Sequence, residues 1–107
     1  MSIQFFVKDF RLNTNEQSYI EKRVAKIAHF GSKLNDEATV IRVEIEKRET
    51  KAMEDHFDAK IHVNVPAPHN TPIFAEDHAE TPTKAIDLVL EKLTKQIEKY
   101  KTKMSGK

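Results

Sequence analysis

The chain contains no cysteine, so disulfide frameworks, thiol nucleophiles and cysteine-based zinc sites are all excluded, and a reducing cytoplasm is compatible with the composition. Glycine occurs twice, at Gly31 and Gly106, which excludes a glycine-rich cradle for phosphate. No apolar run approaches the roughly 18 residues of a membrane span. The opening Met1-Ser2-Ile3-Gln4-Phe5 has no basic region ahead of an apolar stretch, so it reads as the start of a strand and not as a secretion signal. Internal repeats and low-complexity segments are lacking as well. What remains is 107 residues, 38% hydrophobic and 33% charged. That length suits one domain, able to bury about two thirds of its unfolded surface without disulfide or metal support.

The formal net charge of +1 conceals a segregation along the chain. Residues 1–34 carry a net +3, residues 35–80 a net −6, and residues 81–107 a net +4. Such a chain has basic ends and an acidic middle, and the basic ends suit a polyanion.

Periodicity supplies the elements. Ile3, Phe5 and Val7 alternate and predict a strand. Helix-start signatures follow in two possible frames, Asn13 with Glu16 or Thr14 with Gln17. Ile20, Val24 and Ile27 then recur at helical spacing, predicting a helix over about 15–30 that Gly31 stops. Strands are expected over Thr39–Lys47 and Phe57–Val65, each with one apolar and one polar face, the pattern of an antiparallel sheet covered on a single side. The intervening Arg48 to His56 reads as a mobile charged loop, and Pro66 to Pro72 as a second loop. Ile73–Glu80 reads as a weaker fourth strand. Thr81-Pro82 opens a last helix over about 82–102, with Ile86, Val89, Leu90, Leu93, Ile97 and Tyr100 forming one apolar stripe and Ser105 to Lys107 fraying. The order β-α-β-β-β-α predicts an α+β fold, a four-stranded sheet with two helices packed on one face.

At about 100° per residue, Lys84, Lys92, Lys95, Lys99 and Lys103 fall opposite the apolar stripe of the last helix, while Asp87, Glu91 and Glu98 occupy a separate flank. On the first helix Lys22, Arg23, Lys26 and His29 likewise point away from Ile20. Two basic ridges side by side would offer one positive surface to a phosphate backbone. Because no aromatic is expected to alternate with bases on the exposed strand face, contacts should be to phosphates and shape, with little reading of bases. The six phenylalanines are expected chiefly in the core, with the facing of Phe74 open.

Catalytic patterns are weak. His56 and His62 lie near Asp55 and Asp58, and His78 follows Glu76 and Asp77, groups that acid/base or metal chemistry can use. Without a His-x-x-x-His or Glu-x-x-His helical pair or a nucleophile elbow, they read as solvated surface.

The helix Tyr19-Ile20-Glu21-Lys22-Arg23-Val24-Ala25-Lys26-Ile27 and the strands Val43–Lys47 and Asp58–Asn64 carry a resemblance. So do Ala85-Ile86-Asp87, Leu90, Lys92-Leu93, Gln96-Ile97 and Lys99 through Lys103. Together they resemble the bacterial ribosome hibernation promoting factor and ribosome-associated inhibitor family, also known as sigma-54 modulation or ribosomal S30EA-like proteins, over about residues 3–103. The resemblance implies the same β-α-β-β-β-α fold. It also implies a cytoplasmic, non-enzymatic inhibitor of translation, without cofactor, metal or small-molecule substrate and without membrane attachment. Such a factor binds the small ribosomal subunit over the messenger and transfer RNA sites in stationary phase or stress. Its ribosomal RNA contacts would fall on Arg23 and Lys26, with Lys22 on the same ridge, and on Lys92, Lys95, Lys99 and Lys103. Many relatives have Asp-x-Tyr where this chain has Thr81-Pro82-Thr83, so that tyrosine's contribution is absent. The whole chain, 1–107, is expected to be a single ribosome-binding domain of the short form, with a disordered tail from about 104 and a monomeric state off the ribosome. Rival readings are a protein-binding regulator of transcription, as the sigma-54 name suggests, and a small hydrolase or metal-binding protein.

Overall fold

The computed structural model describes residues 2–27, 38–49, 55–64 and 73–105. The chain runs β1 (Ser2–Lys8), α1 (Thr14–Ala25), β2 (Val40–Glu49), β3 (Asp55–Asn64), β4 (Ile73–Ala79) and α2 (Pro82–Ser105), the expected α+β order. The strands form one sheet in the order β1-β2-β3-β4.

The sheet is mixed, which corrects the antiparallel expectation. β2, β3 and β4 pair antiparallel, but β1 pairs parallel with β2, Ile3 opposite Ile41 and Val7 opposite Ile45. Parallel neighbours need a crossover, and α1 provides it. Alternation within one strand fixes which face is dry and is silent on the direction of the neighbour.

Each helix starts where side chains satisfy free backbone N–H groups. At α1 the Asn13 frame prevails over Thr14: its Oδ1 accepts from the Glu16 N–H at 2.7 Å, and the Asn13 N–H donates to Glu16 Oε1 at 3.0 Å. At α2 the Thr81 hydroxyl accepts from the Lys84 N–H at 3.1 Å, and Pro82 occupies the first helical position, where a missing N–H costs nothing. The Thr-Pro-Thr departure from the family pattern is thus a helix start. α2 continues to Ser105, past the expected end near 102. Gly31, His29, Phe30, Val65 and the 66–72 loop lie outside the described residues.

A single core joins the two layers. Ile20, Val24 and Ile27 from the first helical segment and Ile86, Val89, Leu90, Leu93 and Ile97 from α2 pack on Ile41, Val43, Ile45, Ala59, Ile61 and Val63 of the sheet. Phe57 is buried with Phe10 edge-on at 4.9 Å between ring centroids. Phe6 departs from the core expectation and the open facing of Phe74 is resolved the same way: they are 46% and 38% exposed, because each stands at a polar-face position of its strand.

The expected loop Arg48 to His56 is also corrected. Arg48 pairs with His56 and Glu49 with Asp55, so both strands reach further than apolar alternation indicates, and only residues 50–54 between them lie outside the described residues. Backbone ladder bonds are indifferent to side-chain polarity, and here a charged pair of strand ends continues the ladder.

Candidate nucleic-acid interface

The ridges come from the helices' own periodicity. Burial of Ile20, Val24 and Ile27 turns Lys22 and Lys26 outward, and burial of Leu93 and Ile97 turns Lys95 and Lys99 outward; all four lysines are exposed, with no ionic partner among the described residues. Lys103 lies on the last turn of α2, and its side chain, like that of Tyr100, is outside the described part.

Arg23 and Lys92 behave differently. The Arg23 guanidinium pairs with Asp87 Oδ1 at 3.1 Å, and the Tyr19 hydroxyl donates to Asp87 Oδ2 at 2.9 Å, so Asp87 ties α1 to α2. That hydrogen bond, joined by the carboxylate's charge, raises the Tyr19 hydroxyl above its ordinary pKa. The seam between the two helices therefore holds a carboxylate, with Glu91 and Glu98 on the same flank of α2.

Lys92 reaches down to the sheet. Its ammonium donates to the Glu76 carbonyl at 3.0 Å and pairs with Asp77 at 3.2 Å. Nearby, the Gln96 amide accepts from the Phe74 N–H and donates to the Phe74 carbonyl. Together Lys92 and Gln96 cover the free edge of β4, a position that otherwise invites pairing with another strand. The His78 backbone N–H, followed by Lys92, holds the Asp77 carboxyl below its ordinary range. Lys84 pairs with Glu80 at 2.7 Å and lowers that carboxyl in the same way.

The other face of the sheet is open, and here the structure corrects the expectation that it lacks aromatics beside bases. Arg42 lies over the Phe6 ring at 4.6 Å, and the His62 and Phe74 rings stand 4.5 Å apart. In the folded sheet all four side chains stand on the polar face, where the sequence reading expects Phe6 in the core and leaves Phe74 open, and the register brings them into contact, His62 opposite both Arg42 and Phe74. Acids interleave: His62 meets Glu44 at 3.2 Å, Arg48 meets Asp58 at 2.5 Å, and Lys60 meets Glu76 at 3.9 Å. A shallow groove of about 280 Å³ on this face is lined by Phe6, Lys8, Glu44, Glu46, Arg48 and Asp58 among others, a mixed-charge lining unlike the lysine ridges. His56, Asp58 and His78 also converge on this face, the only described group of three or more histidines and carboxylates placed to share a metal ion.

A mixed sheet carrying two lysine-edged helices on one face and a mixed-charge surface on the other defines a small two-layer α+β protein. Residues 3–105 match the family described as sigma 54 modulation protein / S30EA ribosomal protein, and the chain belongs to that family. It is a family of ribosome-associated factors and not of enzymes. The chain is 31% identical over 93 residues to a ribosome hibernation promotion factor of Lactococcus lactis subsp. cremoris, an alignment covering 85% of this chain and 44% of that protein. It therefore spans less than half the length of that relative. In structure it is similar to a ribosomal subunit interface protein from Coxiella burnetii, with a TM-score of 0.71 and 22% identity over 95% of this chain and 99% of that one, which shows a shared fold. No helix of the described residues is long and apolar enough to cross a membrane.

Proposed function

We propose that this chain is a cytoplasmic ribosome hibernation factor, a translation inhibitor that binds the RNA of the small subunit through the outward lysines of α1 and α2 and blocks messenger and transfer RNA access under stress or in stationary phase. The observation that carries this reading is the set of exposed ammonium groups, Lys22, Lys26, Lys95 and Lys99, held on a rigid helical layer without ionic partners among the described residues. Unpaired surface cations gain most from a polyanion, because each phosphate they neutralise releases condensed counterions and no intramolecular pair has to break. Arg23 is a contact of a second kind, which must exchange Asp87 for phosphate, while Lys92 serves the β4 edge first. The name of the Lactococcus relative supports hibernation as the biological setting.

The test is sedimentation of the purified protein with isolated small and large subunits at fixed magnesium, with inhibition of cell-free translation measured in parallel. Saturable association with small subunits, displaced by messenger and initiator transfer RNA, is expected. Association with RNA polymerase and with neither subunit would replace this reading by regulation of transcription.

A further inference from the structure

The open face of the sheet carries a constellation that the lysine ridges do not use. His56 and Asp58 are two residues apart on β3 and so share a face, and Asp58 stands directly opposite His78 of β4. One donor atom from each lies within 4.8 Å of the other two. His56 Nε2 and Asp58 Oδ1 are already 3.1 Å apart, and the His56 and His78 rings stack with centroids at 4.6 Å. Two ligands bonded at about 2.0–2.1 Å to one tetrahedral ion stand roughly 3.3 Å from each other. The β3 pair meets that spacing, and His78, whose side chain is 64% exposed, has the rotational freedom to close the third edge.

The surroundings favour this use. The second carboxylate oxygen of Asp58 accepts from Arg48 Nε at 2.5 Å, which orients the carboxylate and leaves Oδ1 toward the histidines. Arg48 also lies 3.9 Å from Glu46, which offsets part of its charge beside the site. Asp58 and His56 are half-buried and fixed in the ladder, so two of the three ligands are ordered before an ion arrives.

We propose that His56, Asp58 and His78 form a binding site for a divalent transition-metal ion of the zinc class, bridging β3 and β4. Two imidazole nitrogens and one carboxylate oxygen suit zinc and its neighbours, whereas magnesium and calcium require oxygen-rich shells. Three protein ligands leave the remaining coordination positions to water. Because the site joins neighbouring strands of the native sheet, bound ion stabilises the fold by mass action. It lies across the sheet from the lysines, so it is separate from the proposed RNA contacts and stands whether or not that reading holds.

The experiment is calorimetric titration of the full chain, freed of metal by chelation, with zinc chloride, accompanied by melting curves with and without zinc. One zinc per chain and a raised melting temperature are expected. His56→Ala and His78→Ala, on different strands, should each weaken binding at least tenfold and abolish the thermal shift. His62→Ala, a histidine of the same face outside the site, should leave both intact, and magnesium chloride should produce neither. Melting without metal verifies that each variant folds. Absence of saturable zinc binding, or binding and thermal shift retained in both the His56 and His78 variants, overturns the site; an equal response to magnesium overturns its chemistry.

Discussion

Reversing Lys95 and Lys99 together separates the ridge from the fold that carries it. The two residues are four apart on α2, about 6 Å along the helix axis, both exposed and without an ionic partner among the described residues. Lys95→Glu with Lys99→Glu removes no packing, so each change should shift stability by no more than about 0.5 kcal/mol, including a few tenths from the new glutamate four residues after Glu91. Binding should respond far more. A phosphate contact contributes about 0.9 to the slope of log affinity against log salt on a duplex, so at roughly 0.1 M salt each is worth about 0.9 of a decade. Loss of two contacts predicts about 60-fold weaker binding, close to 2.5 kcal/mol, and the introduced repulsions add to it. The salt slope itself should fall by about 1.8. Lys92→Ala should cost less than a decade, since its ammonium is already committed to Glu76 and Asp77. Co-sedimentation with small subunits across a series of potassium chloride concentrations, with a melting curve for each variant, measures both quantities. A folded double variant with wild-type affinity and slope would refute the ridge mechanism.

Leu93 is fully buried beneath the same helix, so Leu93→Ala should cost about 2–5 kcal/mol in urea unfolding by leaving a cavity; a loss under about 1 kcal/mol would mean α2 is not packed as described. The Tyr19 hydroxyl, raised by its bond to Asp87, favours the protonated phenol in the folded state, so its contribution to stability is present below the ordinary tyrosine value of about 10 and is lost as pH rises through the folded value. In a Tyr100→Phe background, ultraviolet titration should find Tyr19 ionising above that ordinary value and Asp87→Asn should bring it down; an unshifted titration in both proteins would contradict the link between the helices. Hydrogen exchange should show alternate amides of residues 47–49 and 55–57 protected well above free-peptide rates, as a ladder requires, and uniformly fast exchange there would restore the loop.

The legible parts of this protein are those governed by local rules. Ile20, Val24 and Ile27, and the stripe from Ile86 to Ile97, are buried as their helical spacing indicates, and Ile41, Val43, Ile45, Ala59, Ile61 and Val63 as their alternation indicates. Helix starts are readable too, the second at Thr81–Pro82 and the first to within one residue, since caps act within a single turn; the structure selects Asn13–Glu16 over Thr14–Gln17. With the dry faces fixed, the outward direction of Lys22, Lys26, Lys95 and Lys99 followed from geometry alone.

Strand direction, strand ends and cross-element partners needed the tertiary structure. The parallel pairing of β1 with β2 and the charged rungs at Arg48 and Glu49 are choices of register, to which side-chain periodicity is blind. Lys92 occupies the same ridge by sequence as Lys95, yet it covers the edge of β4 because α2 lies beside that strand. By helical spacing Asp87 is one of three acids on a flank apart from the lysines, and the packing of α1 makes it a link between helices. His56, Asp58 and His78 are spread over 23 residues of chain, and the β3–β4 register alone brings them together. The sequence by itself determined which side of α1, α2, β2 and β3 is wet, because that depends on a period of two or 3.6, while the facing of Phe6 and Phe74 on the outer strands and the choice of which wet residues meet were decided only when strands and helices from distant parts of the chain came to share a surface.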